Sequence, residues 1–164
     1  MYFLKKIKKL FSRKKSIFFV NSFENQENFL KKLQNQKIIG IDTEFDWRNT
    51  YFPILSLIQI STASDIFLVD SMHFKNEKFI KQIFEDTSIL KVFHSARSDS
   101  TVLSNCKKIQ IKNIYDIQQA EKFISKGEIL SYANLVEKYL GIKIDKSETN
   151  SNWLKRPLSE KQLK

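Results

Sequence analysis

The stretch Lys37-Ile38-Ile39-Gly40-Ile41-Asp42-Thr43-Glu44-Phe45 decides how the chain is read. It is a short, isoleucine-rich run without proline that closes on two carboxylates. Such a run predicts a buried β-strand. Side chains two apart on a strand leave the same face. If the strand persists to Glu44, Asp42 and Glu44 stand together at its C-terminal end. Like charges so placed repel unless a cation lies between them, and a divalent metal ion meets that need. A strand that stops at Ile41 gives the other reading, with both acids opening a solvated loop. The pair alone does not choose between them.

Around this stretch, 164 residues suffice for one domain and one core of ordinary size. Hydrophobic residues make up 41%, with 14 Phe, so side chains for a core are plentiful. With 3 Gly and 2 Pro the chain is not of low complexity. The single Cys106 excludes an internal disulfide framework, and no Cys/His cluster suits zinc. A reducing, cytoplasmic setting fits. No apolar stretch approaches the roughly 20 residues that span a bilayer. The first fifteen residues also lack the apolar segment of a secretory signal.

The net charge of +10 favours a polyanionic partner, nucleic acid or an anionic membrane surface. Residues 1–15 hold seven basic side chains (Lys5, Lys6, Lys8, Lys9, Arg13, Lys14, Lys15) and no acid. Residues 1–16 therefore read as a basic arm and 17–164 as the folded body. Leu4, Ile7, Leu10 and Phe11 recur at helical spacing among the lysines. That pattern suits a short amphipathic helix or a solvated extension.

In order, Ile17–Val20 predicts a short strand. Asn21 or Ser22 then caps a helix through Phe23, Phe29, Leu30 and Leu33. After the opening strand come strands over Ile54–Ile60 and Asp65–Asp70, with links short enough for antiparallel hairpins. Lys75–Phe84 is helical by spacing. Ile89–Phe93 is a strand ending at His94, and a helix covers Ala96–Cys106. Ile109–Tyr115 is a further strand candidate, with helices near Ile117–Ile124 and Tyr132–Leu140 and a C-cap at Gly141. Ser159 stands where the N-cap of a last helix belongs. This order predicts an α/β domain with a mixed central sheet of about five strands flanked by helices.

On a helical wheel, Asp99 shares a side with Ala96, Leu103 and Cys106. A carboxylate on the inward face of a helix needs a partner or a metal. Either a third metal ligand or an edge Asp bonded to a nearby Lys or backbone N–H satisfies that pattern.

Three segments carry a family resemblance. Ile41-Asp42-Thr43-Glu44-Phe45 with Thr50-Tyr51-Phe52-Pro53 and Leu57-Ile58-Gln59 resembles the first exonuclease motif of the ribonuclease D family. Val92-Phe93-His94-Ser95-Ala96-Arg97-Ser98-Asp99 with Leu103 resembles the second. Ser151-Asn152-Trp153-Leu154-Lys155-Arg156-Pro157-Leu158-Ser159 with Gln162-Leu163 is similar to the approach to the third. The resemblance implies a ribonuclease-H-like fold and 3′→5′ hydrolysis at RNA ends, tRNA among them. It also implies a site of four acids and a tyrosine around two Mg²⁺ or Mn²⁺ ions. Asp42 would bridge both metals, Glu44 would hold the nucleophile-side ion, and Asp99 would act on the second through water. The family's third motif carries Tyr-x-x-x-Asp, and no residue of this sequence matches it. The expectation is therefore an exonuclease domain incomplete at its C-terminal side, without C-terminal RNA-binding domains, and with impaired turnover. A catalytically inactive remnant that at most binds RNA is the alternative. A separately encoded C-terminal fragment is a further candidate partner.

Other residues are less specific. Trp47 and Phe52 can stack on an RNA base, and Phe52 equally can pack on the sheet. Arg48, Arg97 and Arg156 suit phosphates or a solvated surface. His94 reads as a strand terminus with a local hydrogen bond, Trp153 as a core anchor and Cys106 as a core residue.

Overall fold

The computed structural model describes residues 15–73 and 78–163; the basic arm, with its Leu4–Phe11 spacing, lies outside the described residues. The elements are β1 (Ser16–Val20), α1 (Phe23–Leu33), β2 (Ile38–Asp46), β3 (Ile54–Ser61), β4 (Asp65–Asp70) and α2 (Lys78–Glu85). They continue with β5 (Leu90–Phe93), α3 (Ala96–Lys107), β6 (Ile114–Asp116), α4 (Ile117–Ile124) and α5 (Tyr132–Leu140). One mixed sheet of six strands runs β1-β4-β3-β2-β5-β6. The expected hairpins are present: β3 pairs antiparallel with both β2 and β4, while β1–β4, β2–β5 and β5–β6 are parallel.

The sheet thus has one strand more than the five expected. Ser16–Val20 pairs along its full length with Asp65–Val69 and forms an edge. At the opposite edge the strand expected over Ile109–Tyr115 contracts to Ile114–Asp116. Ile109 is buried as a core plug in the loop before it.

Alternation sorts the strands into two faces. Ile39, Ile41, Ile58, Ile60, Phe67, Val69 and Phe93 form the first, covered by α1, α2 and α3 through Phe29, Leu33, Phe79, Ile80, Ile83, Phe84, Val102 and Leu103. Short polar caps fix the helix starts: Ser22 Oγ accepts from Asn25 N, and Ser131 Oγ from Asn134 N. Gly141 ends α5 at φ 68°, the left-handed turn its position predicted.

The second face is covered on one side only. Trp153 and Leu158 pack on Leu57 and Leu68, with Phe19 and Ile66 at the rim. Trp153 is the core anchor its sequence suggested. Arg156 fastens this tail: its Nε and Nη2 donate to both oxygens of Asp70 at 2.8 Å, and Nη2 also reaches Ser56 O at 3.2 Å. Ser56 sits at a register shift where Glu44 opposes Leu57 but Phe45 opposes Leu55. That β-bulge turns β2 just after its acids. Past the tail, Ser159 and Gln162 form a reciprocal capping box, Ser159 N to Gln162 Oε1 at 2.9 Å and Gln162 N to Ser159 Oγ at 3.2 Å.

Candidate active site

β2 runs through Asp46, so the strand does not stop at Ile41. Asp42 and Glu44 lie on the second face, in successive rows of the sheet. Asp42 opposes Gln59 and Glu44 opposes Leu57. Gln59 Nε2 donates to Glu44 Oε1 at 3.1 Å, which orients that carboxylate. Asp42 Oδ1 accepts from Thr43 N at 3.1 Å.

Asp99 enters from α3. It is 6% exposed, as its place on the helical wheel required. Its partner is Thr43, whose Oγ1 donates to Asp99 Oδ1 at 2.6 Å. The edge reading gave Asp99 a Lys or a backbone group. The residue between the two strand acids holds it instead.

The three acids disturb one another. Enclosure by protein pushes the Asp42 carboxyl up to about 6, with the charge of Asp99 adding to it. Asp42 keeps much of its surface open to a groove, yet protein on its other sides displaces water from the carboxylate. Glu44 is pushed up to about 8, first by burial, then by Asp42 and Asp99. Burial also raises Asp99, against the Thr43 hydrogen bond. Three carboxylates that resist ionising together form a site short of positive charge.

Hard oxygen donors of this kind suit Mg²⁺ or Mn²⁺. Their spacing does not close a cage. Among the described residues no three or more His, Cys, Asp or Glu side chains gather closely enough to hold a metal ion. The residues fit the ion in chemistry and charge and leave its coordination incomplete.

Asp42 and Glu44 stand between two depressions. A groove of about 390 Å³ opens on the Asp42 side, with Gly40, Gln59, Ser61, Val92 and Tyr132 on its walls. A smaller one of about 200 Å³ opens on the Glu44 side, lined by Trp47, Arg48, Asn150 and Trp153 among others. Trp47 and Phe52 are 59% and 63% exposed, so Phe52 does not pack on the sheet. Trp47 rests edge-on against Phe45, and Phe52 against Tyr51. Arg48 pairs with Asp46 through Nε at 2.9 Å. Arg97 is exposed on the first turn of α3. Arg156 is not a phosphate contact, because its donors are committed to Asp70, Ser56 and the Trp153 carbonyl. Cys106 is half-buried, with Sγ 2.9 Å from Pro53 O.

Three residues near the acids carried no such role in the sequence reading. His94 bonds not locally but across 36 residues, Nε2 to Leu130 O at 3.0 Å. Its ring meets Tyr132 edge-on at 5.6 Å, and Tyr132 feels the Asp42 charge after burial as a cause of its raised pKa. Asp116 accepts from Ser95 N and Ala96 N, at 3.0 and 2.9 Å, while also capping α4. It thereby fixes the start of the helix that carries Asp99. A polar residue directly after a strand was the only signal for Asp116.

Comparison with known proteins decides the family. A family model described as 3′-5′ exonuclease matches residues 17–164. The chain belongs to the 3′-5′ exonuclease family. Within it, this exonuclease domain is of the ribonuclease D kind. It is 37% identical to ribonuclease D of Desulfotalea psychrophila over 139 residues, 82% of this chain and 37% of the relative. With ribonuclease D of Escherichia coli K12 it shares 35% over 124 residues, 76% of this chain and 33% of that protein. The chain thus spans about a third of the length of these relatives. Its fold superposes on the crystal structure of Escherichia coli RNase D, an exoribonuclease involved in structured RNA processing. The TM-score is 0.85 at 29% identity, covering 90% of this chain and 39% of that one. The catalytic core of RRP6 from Trypanosoma brucei gives 0.85 at 27% identity, covering 91% of this chain and 41% of that one. Among the described residues no helix is long and apolar enough to cross a membrane.

Proposed function

We propose that this domain removes nucleotides from the 3′ ends of RNA, tRNA-like ends among them, in the cytoplasm. The observation that supports this reading is the coupling of Asp42, Glu44 and Asp99 around the end of β2, their carboxyls raised first by burial and, for Asp42 and Glu44, by the other acids. These three acids would hold Mg²⁺ or Mn²⁺, which when bound polarises the scissile phosphodiester and acidifies the attacking water. Gln59 keeps Glu44 turned to the site, and Thr43 keeps Asp99 beside β2. Trp47 and Phe52 offer exposed rings on which terminal bases stack. Arg48 and Arg97 lie near enough in the chain to meet the phosphates behind them.

The 164 residues contain no Tyr-x-x-x-Asp, and the three acids do not close a metal site alone. We expect the chain by itself to trim RNA slowly, and a segment supplying a tyrosine and a fourth acid to accelerate it. A separately encoded C-terminal fragment is one such source. The same two observations favour a second reading, a domain that binds RNA without hydrolysing it.

A 3′-labelled single-stranded RNA incubated with the chain and Mg²⁺ or Mn²⁺ separates them. Slow, metal-dependent release of labelled mononucleotide that disappears in Asp42→Ala supports the exonuclease. RNA retention with no release under any metal supports the binder. Release that survives Asp42→Ala sinks the assignment of the site.

A further inference from the structure

The helix that delivers Asp99 does not cap its own start. Its N-cap residue, Ser95, stands at φ 64° and ψ 54°, in the left-handed region that a residue with a Cβ rarely adopts. A serine there ordinarily caps the helix with its hydroxyl, but Ser95 makes no such bond among the described residues. The cap comes from another strand. Asp116 pairs with Phe93 in the parallel β5–β6 ladder, so its side chain lies beside the elbow between β5 and α3. Its Oδ1 accepts from Ser95 N at 3.0 Å and its Oδ2 from Ala96 N at 2.9 Å. The same carboxylate caps α4, with Oδ1 accepting from Gln118 N at 2.9 Å and Gln119 N at 3.4 Å.

A strained left-handed residue persists where its surroundings over-determine it. Asp116 does this for Ser95 by holding the N–H groups of the elbow and of the residue after it. Asp99 follows one helical turn on and reaches β2, its Oδ1 accepting from Thr43 Oγ1 at 2.6 Å. The sheet order β2-β5-β6 puts Thr43 and Asp116 on opposite sides of β5. The first turn of α3 is thus tied to β6 at its start and to β2 through Asp99. Val102 and Leu103 hold the later turns by burial in the core. Apolar contact is non-directional, so it does not set how the first turn is rotated.

We infer that Asp116 is a positioning residue for Asp99: by gripping Ser95 N and Ala96 N it fixes the left-handed elbow and so aims the Asp99 carboxylate at Thr43 and the strand acids. Capping α4 is a separate duty of the same side chain. What Asp99 is aimed for rests on the exonuclease reading; the aiming itself does not.

Asp116→Ser in the full chain separates the two duties. Its hydroxyl can cap α4 as Ser22 and Ser131 cap their own helices, but one oxygen on a shorter side chain does not also serve α3. The readouts are nuclear Overhauser contacts between the Thr43 and Asp99 side chains without metal, and Mn²⁺ affinity from the electron-spin signal of the free ion. Affinity is measured in high salt, where the lost charge of Asp116 is screened. Expected in Asp116→Ser are loss of the Thr43–Asp99 contacts and Mn²⁺ binding weaker by about 10-fold. Glu121→Gln is the control: it disturbs the bonds of Glu121 to Lys138 and Tyr139 between α4 and α5 and touches neither α3 nor the acids. Its contacts and affinity should match the wild type. Asp116→Asn keeps one accepting oxygen and the shape of the side chain, and serves if the serine variant does not fold; its Thr43–Asp99 contacts should weaken. Wild-type contacts in the Asp116 variants, or equal losses in Glu121→Gln, overturn the inference. A wild-type chain that takes up no Mn²⁺ counts against the metal reading, and the metal-free contacts then decide the role of Asp116.

Discussion

Asp70 and Glu44 lie in the same row of the sheet, separated by Leu57 alone, and they have opposite fates. Asp70 is fully buried; burial pushes its carboxyl up, but hydrogen bonds from Arg156 and His73 outweigh that and hold it below the usual range. Glu44 has one neutral donor, Gln59, and two acids nearby, and its carboxyl is pushed up to about 8. The difference is not depth but company. A buried acid with a guanidinium across it is a fastening, whereas buried acids set beside one another raise each other's pKa.

The comparison breaks most visibly at Arg156. Arg156→Ala leaves Asp70 buried without its guanidinium, with His73 and the Met72 N–H as remaining partners, and should cost about 3 kcal/mol in urea unfolding. The tail should detach with it, seen as Trp153 fluorescence shifting toward that of exposed indole. Replacing both partners, Asp70→Leu with Arg156→Met, should recover most of the loss.

The opposite outcome is expected at the acids. Glu44→Gln should raise the melting temperature of the metal-free chain by several degrees, because it removes a repulsion and keeps the Gln59 neighbour. A lower melting temperature would mean that the carboxylate is satisfied as it stands.

The pH profile sharpens the contrast further. Asp42 and Glu44 have folded pKa values raised from 3.8 and 4.5 to about 6 and about 8. Across that window the folded chain holds protons that the unfolded chain has released, so stability falls as pH rises from about 4 to about 8. Mg²⁺ or Mn²⁺ should flatten this slope, read from melting curves with and without metal. Asp70, with its lowered pKa, contributes the reverse dependence, its stabilisation lost as pH falls below the carboxylate range.

The smallest effect is expected at Thr43. Thr43→Val removes the hydroxyl that donates to Asp99 and should cost about 1 kcal/mol. Its larger signature is a further rise of the Asp99 pKa, measurable by carboxyl NMR titration.

What the sequence made legible was periodic or local. Ile38–Ile41 announced the strand, spacing of two put Asp42 and Glu44 on one face, and the wheel of α3 turned Asp99 inward. Ser22, Ser131 and Gly141 marked helix ends through chemistry confined to a few residues. What stayed hidden depends on partners far away in the chain. Nothing around Arg156 betrays Asp70, nothing around His94 points to Leu130, and the bulge at Ser56 breaks the alternation that would have revealed it. Arg156 looked like a phosphate ligand because a surface arginine and a buried clamp are the same letter. The edge strand β1 was visible, but its pairing with β4 was not, since parallel pairing leaves no turn to read.

The tail fastening also has a consequence for how the chain is made. Asp70 and Arg156 are 86 residues apart. At about 5–20 residues per second, synthesis leaves an interval on the order of 4–17 seconds between them. Throughout it the hairpins of β2, β3 and β4 can already exist, with Leu57, Leu68 and Asp70 facing water. A nascent chain in that state presents a broad, half-apolar plate to anything nearby. The last residues described here therefore act as a latch, and the time before they emerge is when a chaperone has most to do.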